Sequence, residues 1–414
     1  MTNMTPNNTT KYIVLLGDGM ADLPIEALDG KTVLEAAHTP NLDALSKKSL
    51  LGLAKTVPEN LPAGSDVANL SVFGFNPQVY YTGRSPLEAV SMGIQMSDED
   101  VALRCNLVTL TGEDKFEDKS MADYSAGEIT TEEAALLMRD IAQSLNGGGI
   151  SFHPGISYRH LAIWNNGPLD MSLTPPHDIS GKRISDYLPT GEGGQRLLEL
   201  MRRSPALLEN HPVNQKRIER GLRPATAIWL WGQGKRPAVP SFKAKYGLDG
   251  SVISAVDLIK GIGLAAGMRS INVEGATGNI HTNFKGKARA ALEELKSGRD
   301  FVYIHIEAPD ECGHQGLLEE KVRSVEIIDR DILGFLLKEL PQIGPFRILV
   351  MPDHPTPLSI KTHSRDPVPF MLFDSRNELL DSQAVYSEAY AKARNYYVED
   401  ASLLMDYLLE KKKG

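Results

Sequence analysis

Three short, mainly apolar runs, residues 12–16, 301–306 and 346–351, lie far apart in the chain, and each is followed at once by a polar segment carrying an aspartate. Runs of five or six residues rich in β-branched and aromatic side chains fit strands covered on both faces, the condition of a parallel sheet. The segments that follow are Gly17-Asp18-Gly19, Glu307-Ala308-Pro309-Asp310 and Pro352-Asp353-His354. In open α/β sheets, ligand sites lie outside the carboxyl ends of the strands. A sheet built from these runs therefore brings Asp18, Asp310 and Asp353 to one edge.

At 414 residues the chain exceeds the size at which one core usually stops growing, so one large or two unequal domains are expected. A net charge of -9 argues against nucleic acid or an anionic membrane as partner, since both normally require a basic footprint. A small anionic metabolite is still compatible, because a few arginines and bound cations can reverse the field inside one cleft. Two cysteines, Cys105 and Cys312, make no disulfide framework, and a reducing cytoplasm is the expected location. Cys312 is read as a packed thiol rather than a catalytic one. The opening MTNMTPNNTT has neither the basic nor the apolar region of a signal peptide, and reads as a frayed leader. No apolar stretch approaches the roughly 20 residues that span a bilayer.

Thr39 is placed to cap a helix that begins at Pro40, and Ser65 to cap a second helix after the Ala63-Gly64 loop. Between residues 85 and 235 glycine and proline clusters separate short apolar segments, and none of the candidate ligands falls there. This stretch is expected to be an inserted α+β domain, with residues 11–84 and 236–414 forming the core. Helical spacing returns over 254–266 and 284–295, and a long helix is expected over 316–340, a strand over 368–373 and a last helix over 398–409. Lys285 and Lys287 are read as the solvated face of their helix.

The clusters carry the chemistry. Asp310 and His314 stand four residues apart, close enough in a helical turn to share one ion. Asp353 and His354 are adjacent at a strand end, where neighbouring side chains diverge and can serve different ions. With His363, Asp18 and Ser65 they make seven candidate ligands. Mixed carboxylate oxygen and imidazole nitrogen suits Mn²⁺ or Zn²⁺, with Co²⁺ or Mg²⁺ possible. Two such ions around a serine at a helix start would support phosphoryl transfer, because they lower the nucleophile's pKa and offset charge on the phosphoryl oxygens.

Val14-Leu15-Leu16-Gly17-Asp18-Gly19-Met20, Ala63-Gly64-Ser65-Asp66, Asp310 with His314, Asp353-His354 and His363 together resemble the alkaline phosphatase superfamily. More closely they resemble its cofactor-independent phosphoglycerate mutases of archaeal type, as do Tyr81-Thr82-Gly83-Arg84-Ser85-Pro86-Leu87-Glu88-Ala89, Arg104-Cys105-Asn106, Gly275-Ala276-Thr277-Gly278 and Asp366-Pro367-Val368-Pro369. The resemblance implies a mostly parallel sheet between helices, with no 2,3-bisphosphoglycerate required. It implies that Asp18, Ser65, Asp353 and His354 hold one metal and Asp310, His314 and His363 the other, with Ser65 passing the phosphoryl group between the hydroxyls of glycerate. The inserted domain should then grip the anion. Arg84, Arg104 and Arg159 are the candidates, because a guanidinium matches carboxylate and phosphate bidentately, and His160 and His177 are weaker ones. The chain departs from the pattern at Met351-Pro352 and Pro355, where Thr-Gly and Ser are expected. Homoserine or water as acceptor, and a metal-binding protein without catalysis, are the alternatives.

Overall fold

The computed structural model describes residues 9–411; most of the expected leader therefore lies outside the described residues. The chain forms two compact units, one built from the described residues up to Tyr81 together with those from Ala238 onward, the other from Thr82–Pro237.

The first unit is organised by an eight-stranded sheet. Its strands lie in the order Arg269–Ile271, Gly250–Ile253, Phe301–Ile306, Lys11–Gly17, Phe346–Met351, Val368–Asp374, Leu50–Ala54 and Tyr397–Val398. All run parallel except Val368–Asp374, which is antiparallel to both neighbours. The three runs singled out in the sequence are adjacent at its centre. Gly17 is level with Ile306, and Leu16 with Met351, so the three loops carrying Asp18, Asp310 and Asp353 leave the sheet at one height.

Alternation then divides the central strands between two faces. Ile13, Leu15, Val302, Ile304, Ile306, Ile348 and Val350 pack with Ala288, Leu292, Val325 and Ile332 from the helical segments covering one side. On the other side Tyr303 stacks on Phe73, with ring centroids 3.8 Å apart and planes 11° from parallel.

Several local expectations are corrected by tertiary contacts. The helix expected over 316–340 is broken into Leu318–Ile327, a wide π segment Ile328–Leu333 and Gly334–Glu339. Thr39 makes no capping bond to the helix Pro40–Ser46. Asp329, in the π segment, does so instead: its carboxylate accepts from Asn41 N at 3.2 Å and Leu42 N at 2.7 Å, while Asn41 Nδ2 donates to the Asp329 carbonyl at 3.2 Å. The wide turn and the missing local cap answer one another. Lys287 is not on a solvated face; it is buried and its Nζ donates to the His305 carbonyl at 3.2 Å. The helix expected over 254–266 begins only at Asp257, and the last one is reduced to a 3-10 turn Ala401–Leu403 followed by Leu404–Leu408.

The second unit is α+β. Its long central strand Val101–Gly112 pairs antiparallel with Lys119–Asp123, Arg159–Trp164 and Ala227–Lys235, and Ile150–Ile156 pairs with Arg159–Trp164. The helices Thr131–Leu145 and Gly194–Leu208 supply Leu137, Met138, Ile141, Leu197 and Met201 to a core shared with Leu103, Cys105 and Leu107. Arg84 belongs to this unit.

Candidate functional site

Ser65 opens the helix Ser65–Val72 as its first residue, with Gly64 in the capping position. Its Oγ lies 3.1 Å from His354 Nε2. The first turn of a helix presents unpaired N–H groups and positive potential, which favours an alkoxide or a phosphate there. One turn further on, Asn69 is fully buried and holds three elements together. Its Nδ2 donates to the Ser65 carbonyl at 2.9 Å and to Asp353 Oδ2 at 2.8 Å, and its Oδ1 accepts from Tyr303 Oη at 2.7 Å. Asp353 Oδ1 in turn accepts from the backbone N–H of Gly19 and of His354, at 3.1 and 2.9 Å. Position 19 has to be glycine: its φ is +61°, and a Cβ there would lie 2.6 Å from Asp310 Oδ1.

Two groups of donor atoms form within this edge, each with its atoms within 4.8 Å of one another. One is Asp310, His354 and His363; the other is Asp18, His305 and Asp353. His354 stands between them, its Nε2 3.5 Å from Asp18 Oδ1 and 3.4 Å from Asp353 Oδ2. His314 adjoins the first group, with Nε2 3.3 Å from Asp310 Oδ2 and 2.9 Å from His363 Nε2. All seven candidate ligands named from sequence thus converge. Ser65 approaches them through His354, and His305 joins them.

The imidazoles are aimed by their outer nitrogens. His314 Nδ1 lies 3.0 Å from the Lys361 carbonyl and His363 Nδ1 3.2 Å from that of Ala63. A carbonyl can only accept, so each Nδ1 carries hydrogen and each Nε2 points inward as a donor of electrons. Hydrogen bonding to Asp310 pushes His314 up to about 9. Burial opposes charge on Asp310, yet hydrogen bonds from His314 and His363 keep its carboxyl well below the usual range. Asp18 goes the other way: burial first, then the charges of Asp353, Asp310 and Glu307, push it well above. Among the described residues its buried Oδ1 has no hydrogen-bond partner. An orphaned carboxylate oxygen and two inward-facing Nε2 atoms packed at 2.9 Å fit a site made for cations.

A buried lysine braces these loops. Lys321 Nζ donates to the carbonyls of Ala21 and Thr356 at 3.3 and 2.7 Å and pairs with Asp22 Oδ2 at 2.7 Å. Replacing it with methionine strands the Asp22 charge; Lys321→Met is expected to lose about 3–5 kcal/mol, read by urea unfolding. Next to it, Glu388 accepts from Asp22 N at 3.1 Å and Thr32 Oγ1 at 2.7 Å. Burial raises its pKa from 4.5 to about 6. The folded state then binds this proton more tightly than the unfolded chain, so the contribution of Glu388 to stability is fully present below pH 4.5 and is lost as pH rises through about 6. Over that window the wild type is expected to lose about 2 kcal/mol more than Glu388→Gln in parallel unfolding curves.

In the second unit, Arg84 Nε and Arg104 Nε contact the two oxygens of half-buried Glu88, at 2.9 and 3.1 Å. Arg104 Cζ lies 4.7 Å from the centre of the Trp231 ring, and Arg159 Cζ 5.0 Å from that of Tyr158. Burial alone would raise Glu88, but the charges of Arg104 and Arg84, with Arg159 adding, hold it below the ordinary carboxylate value. All three arginines thus act on one carboxylate. His177 packs edge-on to Trp231 at 5.3 Å. His160 is buried, with Nδ1 accepting from Gly155 N at 2.9 Å and, among the described residues, no partner for Nε2.

Sequence reasoning missed His305 and Asn69. The period-two pair Tyr303 and His305 on an otherwise apolar strand was the available signal for the first; for Asn69 it was the spacing of four from Ser65.

A serine at a helix start, facing carboxylate and imidazole donors at the carboxyl edge of a parallel sheet, places the chain among α/β phosphotransferases. The family model for 2,3-bisphosphoglycerate-independent phosphoglycerate mutase matches residues 46–214. The chain is 51% identical over 401 residues to a probable mutase of this kind from Geobacter sulfurreducens, covering 97% of this chain and 100% of that protein. It is 50% identical over 404 residues to the mutase of Methanosarcina barkeri, at 97% and 100% coverage. Among solved structures it superposes on the PH0037 protein of Pyrococcus horikoshii with a TM-score of 0.82 at 27% identity, covering 98% of this chain and 99% of that one. The chain belongs to the 2,3-bisphosphoglycerate-independent phosphoglycerate mutase family.

Proposed function

We propose that this protein interconverts 3-phosphoglycerate and 2-phosphoglycerate, with Ser65 carrying the phosphoryl group between the two hydroxyls and no added bisphosphoglycerate. The observation that carries this reading is Ser65 Oγ, 3.1 Å from His354 Nε2 at the start of a helix and beside two groups of metal-type donors. Asp18, Ser65, Asp353 and His354 would hold one divalent ion, and Asp310, His314 and His363 the other. Mn²⁺ suits this mixed donor set, with Zn²⁺, Co²⁺ and Mg²⁺ as alternatives. Bound there, the ions would lower the Ser65 pKa and offset charge on the phosphoryl oxygens.

The chain's own groups do the rest. The helix start positions Ser65 Oγ for attack on phosphorus and stabilises the anion formed there. As the Oγ–P bond forms, the bond to the glycerate oxygen breaks, and the proton given up by Ser65 is matched by the one the departing oxygen takes. Return of the group to the neighbouring hydroxyl reverses these steps. Arg84, Arg104 and Arg159 supply the cationic surface for the substrate's carboxylate and phosphate. Two unpaired, buried cysteines accord with a cytoplasmic setting.

Purified protein loaded with Mn²⁺ and given 3-phosphoglycerate should yield 2-phosphoglycerate. Inorganic phosphate as the sole product would make it a phosphatase, and transfer only to added homoserine would move the acceptor. Arg104→Lys keeps the charge but loses the planar fork that bridges Glu88 and the ring of Trp231. It is expected to lower kcat/KM by about 10- to 100-fold, chiefly through KM, in steady-state assays.

A further inference from the structure

We propose that His305 is a positioning residue which, aimed by Ser254, fixes Asp18 so that only its Oδ1 is left for a metal ion. This rests on the two-metal reading above and extends it to the affinity of one site.

His305 lies near the end of the central strand Phe301–Ile306, and neither it nor Ser254 is exposed. Both ring nitrogens are engaged. Nε2 is 3.0 Å from Asp18 Oδ2, and Nδ1 is 3.2 Å from Ser254 Oγ. Ser254 Oγ gives its hydrogen to Nδ1, so the ring hydrogen of the neutral imidazole sits on Nε2 and is donated to Asp18 Oδ2. Ser254 Oγ already accepts from Val256 N at 2.9 Å, which turns its own hydrogen towards His305 Nδ1. The chain of bonds therefore runs one way, from the Val256 N–H through the serine hydroxyl and the neutral imidazole to the aspartate. Lys287 Nζ pins the strand at the same residue by donating to the His305 carbonyl.

The consequence is for Asp18. One of its oxygens is held by a neutral donor, while the other is buried and, among the described residues, has no partner. A cationic donor at this place would cancel the charge a metal ion needs, whereas a neutral imidazole orients the carboxylate and leaves that charge in place. Direct ligation by His305 is the rival, since its ring lies within 4.8 Å of the donor atoms of Asp18 and Asp353. It would require breaking one of the two bonds just described.

Mn²⁺ binding to the substrate-free protein, followed by calorimetry and by the manganese paramagnetic resonance spectrum, separates these cases. His305→Ala is expected to weaken one of two Mn²⁺ equivalents by about 10- to 100-fold and leave the other unchanged. His305→Gln, whose amide can still donate to Asp18, should recover much of that affinity. Ser254→Ala should weaken the same equivalent by a smaller factor and serves if His305→Ala does not fold. Wild-type affinity in all three variants would overturn the proposal. So would complete loss of one equivalent in both His305 variants, which would make the histidine a ligand. If the wild type binds two Mn²⁺ but forms no 2-phosphoglycerate, the phosphoglycerate reading fails while the role of His305 is still decided by these binding data.

Discussion

Ser65→Ala is expected to abolish phosphoryl transfer, with a fall in kcat on the order of 10⁴-fold or more, while leaving the fold intact. The size follows from position. Among the described residues Ser65 is the hydroxyl that opens a helix beside His354 Nε2, and a nucleophile's removal takes away a covalent step rather than one of several orienting contacts. The fold should survive because the helix is held elsewhere: Val67, Ala68 and Leu70 are fully buried, the Ser65 side chain makes no capping bond among the described residues, and Asn69 ties the helix to Asp353 and Tyr303. Asn69 also bonds the backbone carbonyl of residue 65, which alanine retains. Mass spectrometry after incubation with 3-phosphoglycerate should find phosphoserine at residue 65 in the wild type and no phosphorylation in the variant. Substantial mutase activity in Ser65→Ala would remove the serine from the mechanism.

Removal of bound metal should be the second large effect. Asp18, Asp310 and Asp353 are each at most 6% exposed, and together with Glu307 they place four acidic groups in one electrostatic neighbourhood. Cations bound there offset this repulsion, and any ligand that binds only the folded state stabilises it. At about a thousandfold excess over Kd the gain is about 4 kcal/mol for each site. Chelation is therefore expected to lower the unfolding free energy by several kcal/mol and to stop turnover, with both restored by Mn²⁺. Asp310→Ala should lose one metal equivalent and most activity, because Asp310 is the acceptor that His314 and His363 share. Elemental analysis showing two equivalents in Asp310→Ala would overturn the assignment, as would equal stability before and after chelation.

Much of this site was legible from spacing. The strands Phe301–Ile306 and Phe346–Met351 fall where their apolar runs end, because a strand covered on both faces admits few polar residues and its boundary shows as a change of composition. Their carboxyl ends then direct attention to Asp18, Asp310 and Asp353. Long-range polar partners left weaker marks. Asp329 caps a helix near residue 40 across 288 positions, and Lys287 on a helix of ordinary pattern turns inward to a strand carbonyl. Neither interaction has a local signature, since the chain alone does not show which distant carbonyl or N–H lacks a partner.

The chain by itself determined the strands that meet at the sheet's centre, the residue types at their ends and the serine at a helix start, because burial and the geometry of helices and strands act over a few neighbouring residues. Only the tertiary structure decided that His354 stands between two donor groups, that His305 anchors Asp18, and that Arg84 and Arg104 share Glu88. Those relations depend on ångström-scale distances between separate segments, 287 positions apart for His305 and Asp18, and packing sets such distances, not sequence spacing.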